Sequence, residues 1–169
     1  MPASDAWLLT VTKQLHAAIG NQEMVHIHSG IPDLIAISHE DSYCQHEILW
    51  QGQHLSLLDL GLFLSGKPYS DKTTDYPENM LLCIVAYISA QKNVQEYGAI
   101  LSSQPPVRVI VDDKQACELP STPERWSMLA ISCFNHNVYD TVPILDLPRI
   151  FSTQVDLNAR ADPDIQVFD

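Results

Sequence analysis

Two histidines, His26 and His28, alternate in the stretch MVHIH, and Cys44 and His46 repeat the same spacing. Residues two apart on an extended strand share a face, so each pair sets two zinc-type donors side by side. A structural zinc site takes four ligands, and neither pair supplies more than two locally. They read instead as half-exposed histidines and a core thiol, and no bound metal is expected. Asp112 and Asp113, in VIVDD, come nearest to an acid–base pair. General acid–base chemistry needs a partner group held at a defined distance in a pocket, and no residue pattern marks one. Asp112 reads as a turn or bulge residue at the end of a strand. The chain carries no nucleophile elbow, P-loop, dinucleotide-binding glycine pattern or HExxH. Lys67, in SGKPYS, lacks the upstream glycine of a P-loop and reads as solvated. No catalytic residues, no cofactor and no enzymatic activity are therefore expected.

Composition narrows the partners. The 169 residues are 46% hydrophobic, ordinary for a folded chain, and carry 9 Lys and Arg against 21 Asp and Glu, a net charge of −12. Nucleic acid and anionic membranes both demand positive surface, so neither is expected as a partner; a basic protein surface remains open. The N-terminal MPASDAWLLTVTK has no basic region followed by an apolar run, so no signal peptide is expected. The longest apolar stretch, MLLCIVAYI at 80–88, falls far short of the roughly 20 residues of a spanning helix, which excludes membrane insertion by a helix. Cys44, Cys83, Cys117 and Cys133 form no CxxC and read as buried free thiols in a reducing, cytoplasmic setting.

The elements that would position any site are short and β-like. MVHIHSG, LIAI, EILWQG and QHLSLLDL precede the polar stretch GKPYSDKTTDYPEN at 66–79, and MLLCIVAYI, YGAILSS, VRVIVDD, WSMLAISCF and VPILDL follow it. QGQH, between the apolar pairs before and after it, predicts a tight turn with Gly52 at positive φ. STPE at 121–124 predicts a helix start with Ser121 as cap and Glu124 at the capping-box spacing. One phrase is written twice: LSLLDL at 55–60 and VPILDL at 142–147. Each copy is an apolar strand closing on an acid, then a second short apolar run. Asp59 and Asp146 are predicted to cap short helices there, where a carboxylate accepts orphan N–H groups and meets the positive end of the helix dipole. Trp126, among MLAI, is expected in the core; Trp50, beside the turn, is open to either a core or an interface role. The acidic tail at 152–169 reads either as a loose arm or as a partner-contacting strand.

In this order the segments resemble the CheW-like family, the coupling adaptors of bacterial chemosensory arrays. The family has an N-terminal strand pair, then a hairpin whose turn reads asparagine–apolar–arginine–glycine. A strand ending in V/L-D-L and a short helix follow. LWQGQHLSLLDLGLFL at 49–64 occupies that place, VRVIVDD at 107–113 is similar to a later family element, and VPILDLPRIF at 142–151 matches the closing one. The resemblance covers about residues 8–151 and implies an all-β fold of two small, packed five-stranded β-barrels with short helices. It implies one CheW-like domain at 1–151, with subdomains at about 8–65 and about 80–151 joined by 66–79. It also implies a non-enzymatic adaptor, in chemotaxis or type IV pilus motility, that binds the regulatory domain of a histidine kinase. A chemoreceptor or a CheW-like paralogue is the further partner. The turn departs from the family pattern: Leu49 and Gln51 stand where the family has Asn and Arg, and Gly52 is kept. Gln51 has neither the charge nor the bidentate fork of an arginine, so receptor coupling is expected to be weaker, altered or absent. Leu49, Trp50, Gln51 and Gly52 are the expected interface residues. The competing reading is a ligand-binding or enzymatic β-barrel with a pocket between subdomains, converging on His26, His28 and Asp112.

Overall fold

A computed structural model describes residues 4–36, 44, 46–65, 79–89, 91–121 and 124–152. Its strands are β1 (Ser4–Thr10), β2 (His16–Gly20), β3 (Met24–Ser29), β4 (Ile35–Ala36), β5 (His46–Trp50), β6 (Gln53–Leu58), β7 (Leu81–Ile88), β8 (Gln95–Ser102), β9 (Val107–Val111), β10 (Ala116–Cys117), β11 (Ala130–His136) and β12 (Asp140–Leu145). Three short helices interrupt them: α1 (Leu60–Ser65), α2 (Trp126–Leu129) and α3 (Leu147–Ser152). The strands form two mixed sheets of six, in the orders β10-β11-β12-β2-β1-β9 and β3-β7-β8-β6-β5-β4.

Adding six to each strand number of the second sheet, counted round twelve, reproduces the first sheet in reverse. The chain is thus written twice, β1–β6 and β7–β12, and the copies exchange their first two strands. In each sheet the strand of the repeated phrase pairs in parallel with a strand of the other copy: Leu57 of β6 lies against Ala99 of β8, and Ile144 of β12 against Ala18 of β2. This corrects the expected partition. The second sheet draws on residues both before and after 66–79, and the first joins β1 and β2 to β9–β12, so neither 8–65 nor 80–151 owns a sheet. Each sheet has six strands rather than five. Among the described residues no pairing joins the two end strands of either sheet.

Apolar side chains leave both faces of the central strands, which explains continuous runs such as MLLCIVAYI. On β7, Cys83 and Val85 enter a core shared by both sheets and all three helices, while Leu82 and Ile84 enter a second core with Ile48, Leu55 and Leu57. On β1, Leu9 joins the shared core and Leu8 a third one with Phe134 and Val142. The period of two is intact, but both phases are buried.

Several boundaries move from their expected places. The turn is two residues long, Gln51 at φ 49° and Gly52 at φ 80°, and Gln53 and His54 already pair in β6. Positive φ at both central positions matches the right-handed twist of hairpin strands. Trp126, Ser127 and Met128 are helical rather than strand. α2 opens at Arg125 without a side-chain cap, so Ser121 does not cap it; residues 122–123 lie outside the described set. The strand pair β1–β2, which local pattern did not reveal, runs antiparallel from Ala6 opposite Gly20 to Thr10 opposite His16. The connection at 66–78 and the tail at 153–169 lie outside the described residues.

The acids of the repeated phrase sit in matching geometry. Asp59 Oδ1 accepts a hydrogen bond from Leu62 N–H (3.1 Å), and the Asp59 carbonyl accepts one from Phe63 N–H (3.0 Å). Asp146 Oδ1 accepts from Arg149 N–H (3.3 Å), and its carbonyl from Ile150 N–H (3.1 Å). α3 then crosses to the second sheet, where Phe151 stacks on Tyr87 with centroids 5.5 Å apart. Gly98 of β8 leaves room for that ring: a Cβ there would stand 2.7–2.8 Å from three ring carbons of Phe151.

Candidate interaction surface

The β5–β6 hairpin carries the four expected interface residues, and its alternation splits them between two faces. His46, Ile48 and Trp50 point to one side, Glu47 and Leu49 to the other. Ile48 opposite Leu55 fills the second core, so the first side is the inner one. Trp50 follows it inward, half-buried, its ring 6.0 Å from that of Tyr97. Leu49 is left on the outer side at 55% exposure, opposite His54 and near Ile35, itself 40% exposed on β4. Beside them, Glu47 Oε1 and His54 Nδ1 lie 3.6 Å apart. The outer face thus carries two exposed aliphatic side chains, the half-buried Ser56 opposite Glu47, an ionisable pair and the exposed Gln51–Gly52 tip.

The other chemistry-bearing residues do not converge. His26 and His28 are exposed on β3, at one end of the second sheet, with ring centroids 6.1 Å apart. His46 is buried on β5, and β7, β8 and β6 lie between. β3 and β5 are thus not neighbours in the sheet. Burial lowers the His46 pKa below its usual value, with Asp59 pulling the other way, and burial raises the Cys44 thiol far above its usual range. Both therefore stay neutral near pH 7. Among the described residues no group of three or more His, Cys, Asp and Glu could hold a metal ion. Asp112 accepts a hydrogen bond from Lys114 N–H (2.8 Å), and Gln115 Oε1 accepts one from Asp112 N–H (2.9 Å). Its carboxylate is thus engaged in starting the 3₁₀ turn Asp113–Gln115. Of two open grooves, of about 620 and 520 Å³, the first is lined in part by Gln53, His54 and Ser56 of the β5–β6 hairpin, and none of His26, His28 and Asp112 lines either.

Two further apolar surfaces escaped the sequence reading. β3 and β9, equivalent in the repeated order, are end strands of their sheets; β3 exposes Val25 and Ile27, and β9 exposes Val107 and Ile110. Polar neighbours interleave them, His26 and His28 on β3 and Arg108 on β9, a common guard on an open edge. Arg108 is held in place by Asp5 (2.9 Å) and Asn21 (2.8 Å) and lies over the Trp7 ring. The alternation VRVIV is a signal for such an edge.

A scan against protein-family profiles gave no match, and neither did a search of curated protein sequences. A search of solved structures matched the scaffolding protein CheW of Thermoanaerobacter tengcongensis with a TM-score of 0.61, over 91% of this chain and 93% of that one. The fold is that of CheW. At 9% identity the correspondence lies in the path of the backbone, and residue roles must come from the side chains of this chain. The implied all-β architecture in two parts with short helices stands; the two five-stranded barrels are observed as six-stranded sheets, and among the described residues no pairing closes either into a barrel. No helix among the described residues is long and apolar enough to cross a membrane.

Proposed function

We propose that this CheW-like chain is a non-enzymatic, cytoplasmic adaptor in a bacterial chemosensory system serving chemotaxis or type IV pilus motility. Its main partner is the regulatory domain of a histidine kinase, with a CheW-like paralogue or a receptor as a further contact. The observation that carries this reading is the near-full-length correspondence with a scaffolding protein. The placement of His26 and His28 on β3, His46 on β5 and Asp112 after β9 supports it, because among the described residues no group of His, Cys, Asp and Glu is assembled that could hold a metal ion. The outer face of β5–β6 is the contact we assign, with Leu49 as apolar anchor and Gln51 at the tip. Trp50 supports the hairpin from inside through Tyr97. Such a contact places apolar residues at its centre and charge at its rim. The net charge of −12 favours a partner surface rich in Lys and Arg. Without the family arginine at Gln51, receptor coupling is weak or redirected.

The test is calorimetric titration of the chain against the cognate kinase's regulatory domain, CheW-like paralogues of the same cell and receptor signalling tips. Saturable binding to the kinase domain or a paralogue is expected, weakened about tenfold or more by Leu49→Glu, which puts an unpaired charge at an apolar contact. The folded protein failing to bind any of these partners at high concentration ends the reading.

A further inference from the structure

A different chemistry sits at the far edge of the first sheet. β10 is two residues long and pairs with β11 alone, and in that pairing Cys117 stands directly opposite Cys133. Directly opposed residues of antiparallel strands have Cα atoms about 4.5–5.5 Å apart, within the roughly 4.4–6.8 Å spanned by native disulfides. The two Sγ atoms lie 2.7 Å apart, and both residues are free thiols. They differ in access. Cys133 is 3% exposed, and its Sγ–H meets the carbonyls of Glu118 (3.0 Å) and Cys117 (3.3 Å), whereas Cys117 is half-buried. Burial, reinforced by the hydrogen bond and charge of Cys117, pushes the Cys133 thiol up to about 12. The remaining two cysteines, Cys44 ahead of β5 and Cys83 on β7, are buried, so a reagent meets Cys117 first.

We propose that Cys117 and Cys133 form a modification site, a dithiol that a small-molecule disulfide oxidises to an intramolecular disulfide clamping β10 onto β11. Oxidised glutathione serves as the oxidant. Cys117 Sγ, as thiolate, attacks one glutathione sulfur; the glutathione S–S bond breaks, and one glutathione leaves as a thiolate that takes up a proton. Cys133 Sγ, shedding its proton to solvent, then attacks the Cys117 sulfur and expels the second glutathione. The protein loses two electrons and two protons, and the oxidant becomes two molecules of reduced glutathione. The product closes the chain from 117 to 133, a loop that includes α2 with the buried Trp126. Covalent closure of a loop of this size restricts the unfolded chain, so the oxidised protein is the more stable form.

This inference stands apart from the adaptor reading, since its readout is thiol chemistry. The full chain, freed of reductant, is equilibrated with mixtures of reduced and oxidised glutathione and examined by intact mass and a non-reducing peptide map. The expected species has lost two hydrogens, keeps two of its four thiols, and yields a peptide pair joined through Cys117 and Cys133. Cys133→Ser is expected to stop at one glutathione on Cys117, and Cys117→Ser to take none under the same exposure. The oxidised form is expected to melt several degrees higher than the reduced one. A stable glutathione adduct in place of the internal bond, a covalent dimer, or first modification at Cys133 would overturn the proposal. A lower melting temperature after oxidation would overturn the claim that the native strand pairing accommodates the bond.

Discussion

Replacing Gly98 with alanine tests whether α3 is docked on the second sheet through Phe151. The new Cβ would meet Cε1, Cδ1 and Cζ of Phe151 at 2.7–2.8 Å. Carbon atoms rest about 3.5–4.0 Å apart, so the ring must retreat by roughly 0.7–1.3 Å. Retreat disturbs its stack on Tyr87, and inserting a carbon into a filled space costs about 1–3 kcal/mol. Against this, alanine in a strand is favoured over glycine by about 0.5–1 kcal/mol, and Gly98 does not sit at a positive φ that alanine would resist. The net expectation is a loss of about 0.5–2 kcal/mol. With Phe151→Ala as background the obstacle is gone, and the same substitution should stabilise by up to about 1 kcal/mol. The sign therefore reverses between backgrounds.

Urea melts of the four proteins, followed by tryptophan fluorescence and by circular dichroism, measure this cycle. Trp126 in the shared core makes fluorescence a report on the packing beneath α3. Equal m-values across the set are required before midpoints are compared. A coupling of about 1–3 kcal/mol between the sites is expected. Gly98→Ala proving neutral in the parent chain, or equally harmful with and without the ring, would refute the docking of Phe151 over β8.

Asp59→Ala and Asp146→Ala should each lower stability by about 0.5–2 kcal/mol, because each carboxylate accepts a first-turn N–H; thermal or urea melts without any loss would remove the capping role. Leu49→Glu should leave the melting curve within about 0.5 kcal/mol of the parent while weakening partner binding, since its side chain is exposed; Trp50→Ala, by contrast, should destabilise through lost packing on Tyr97. Burial lowers the pKa of both His16 and His46, so the unfolded chain binds more protons than the folded one below about pH 6.5. Their contribution is fully present above that pH and is lost as pH falls towards their folded values. Glu23, raised by burial, contributes with the opposite sign from its ordinary pKa upwards. Melts between pH 7.5 and 5.5 should show stability falling with pH, with a shallower slope in His46→Gln; an unchanged slope would remove His46 from the account.

Much of the fold was legible locally. The two copies of the strand-acid-helix phrase show in the letters, because an apolar strand, a carboxylate and a short helical turn are each set by neighbours in sequence. Asp59 and Asp146 hydrogen-bond to residues three and four positions on, which is why their spacing could be read at all. The hairpin at Gln51 and Gly52 was legible for the same reason, although its length was not. The absence of catalytic and nucleotide motifs is likewise a property of the letters alone.

Tertiary structure decided the rest. Ile48 and Trp50 on one face of β5, and Leu49 on the other, are all apolar, so alternation cannot say which face is buried; the pairing with Leu55 and the contact with Tyr97 settle it. The exchange of strands between copies rests on parallel pairings such as Leu57 with Ala99 and Ala18 with Ile144, residues far apart in the chain. β1 and β2 lack a strong local pattern because both of their faces are covered. Gly98 gives no sign of its purpose until Phe151 arrives from α3. Cys117 and Cys133, isolated in sequence, become neighbours only through the register of β10 on β11. Periodicity, caps and turns act over a few residues and are written in the sequence; which face is inside, and which distant strand lies alongside, depends on contacts that exist only once the chain has closed on itself.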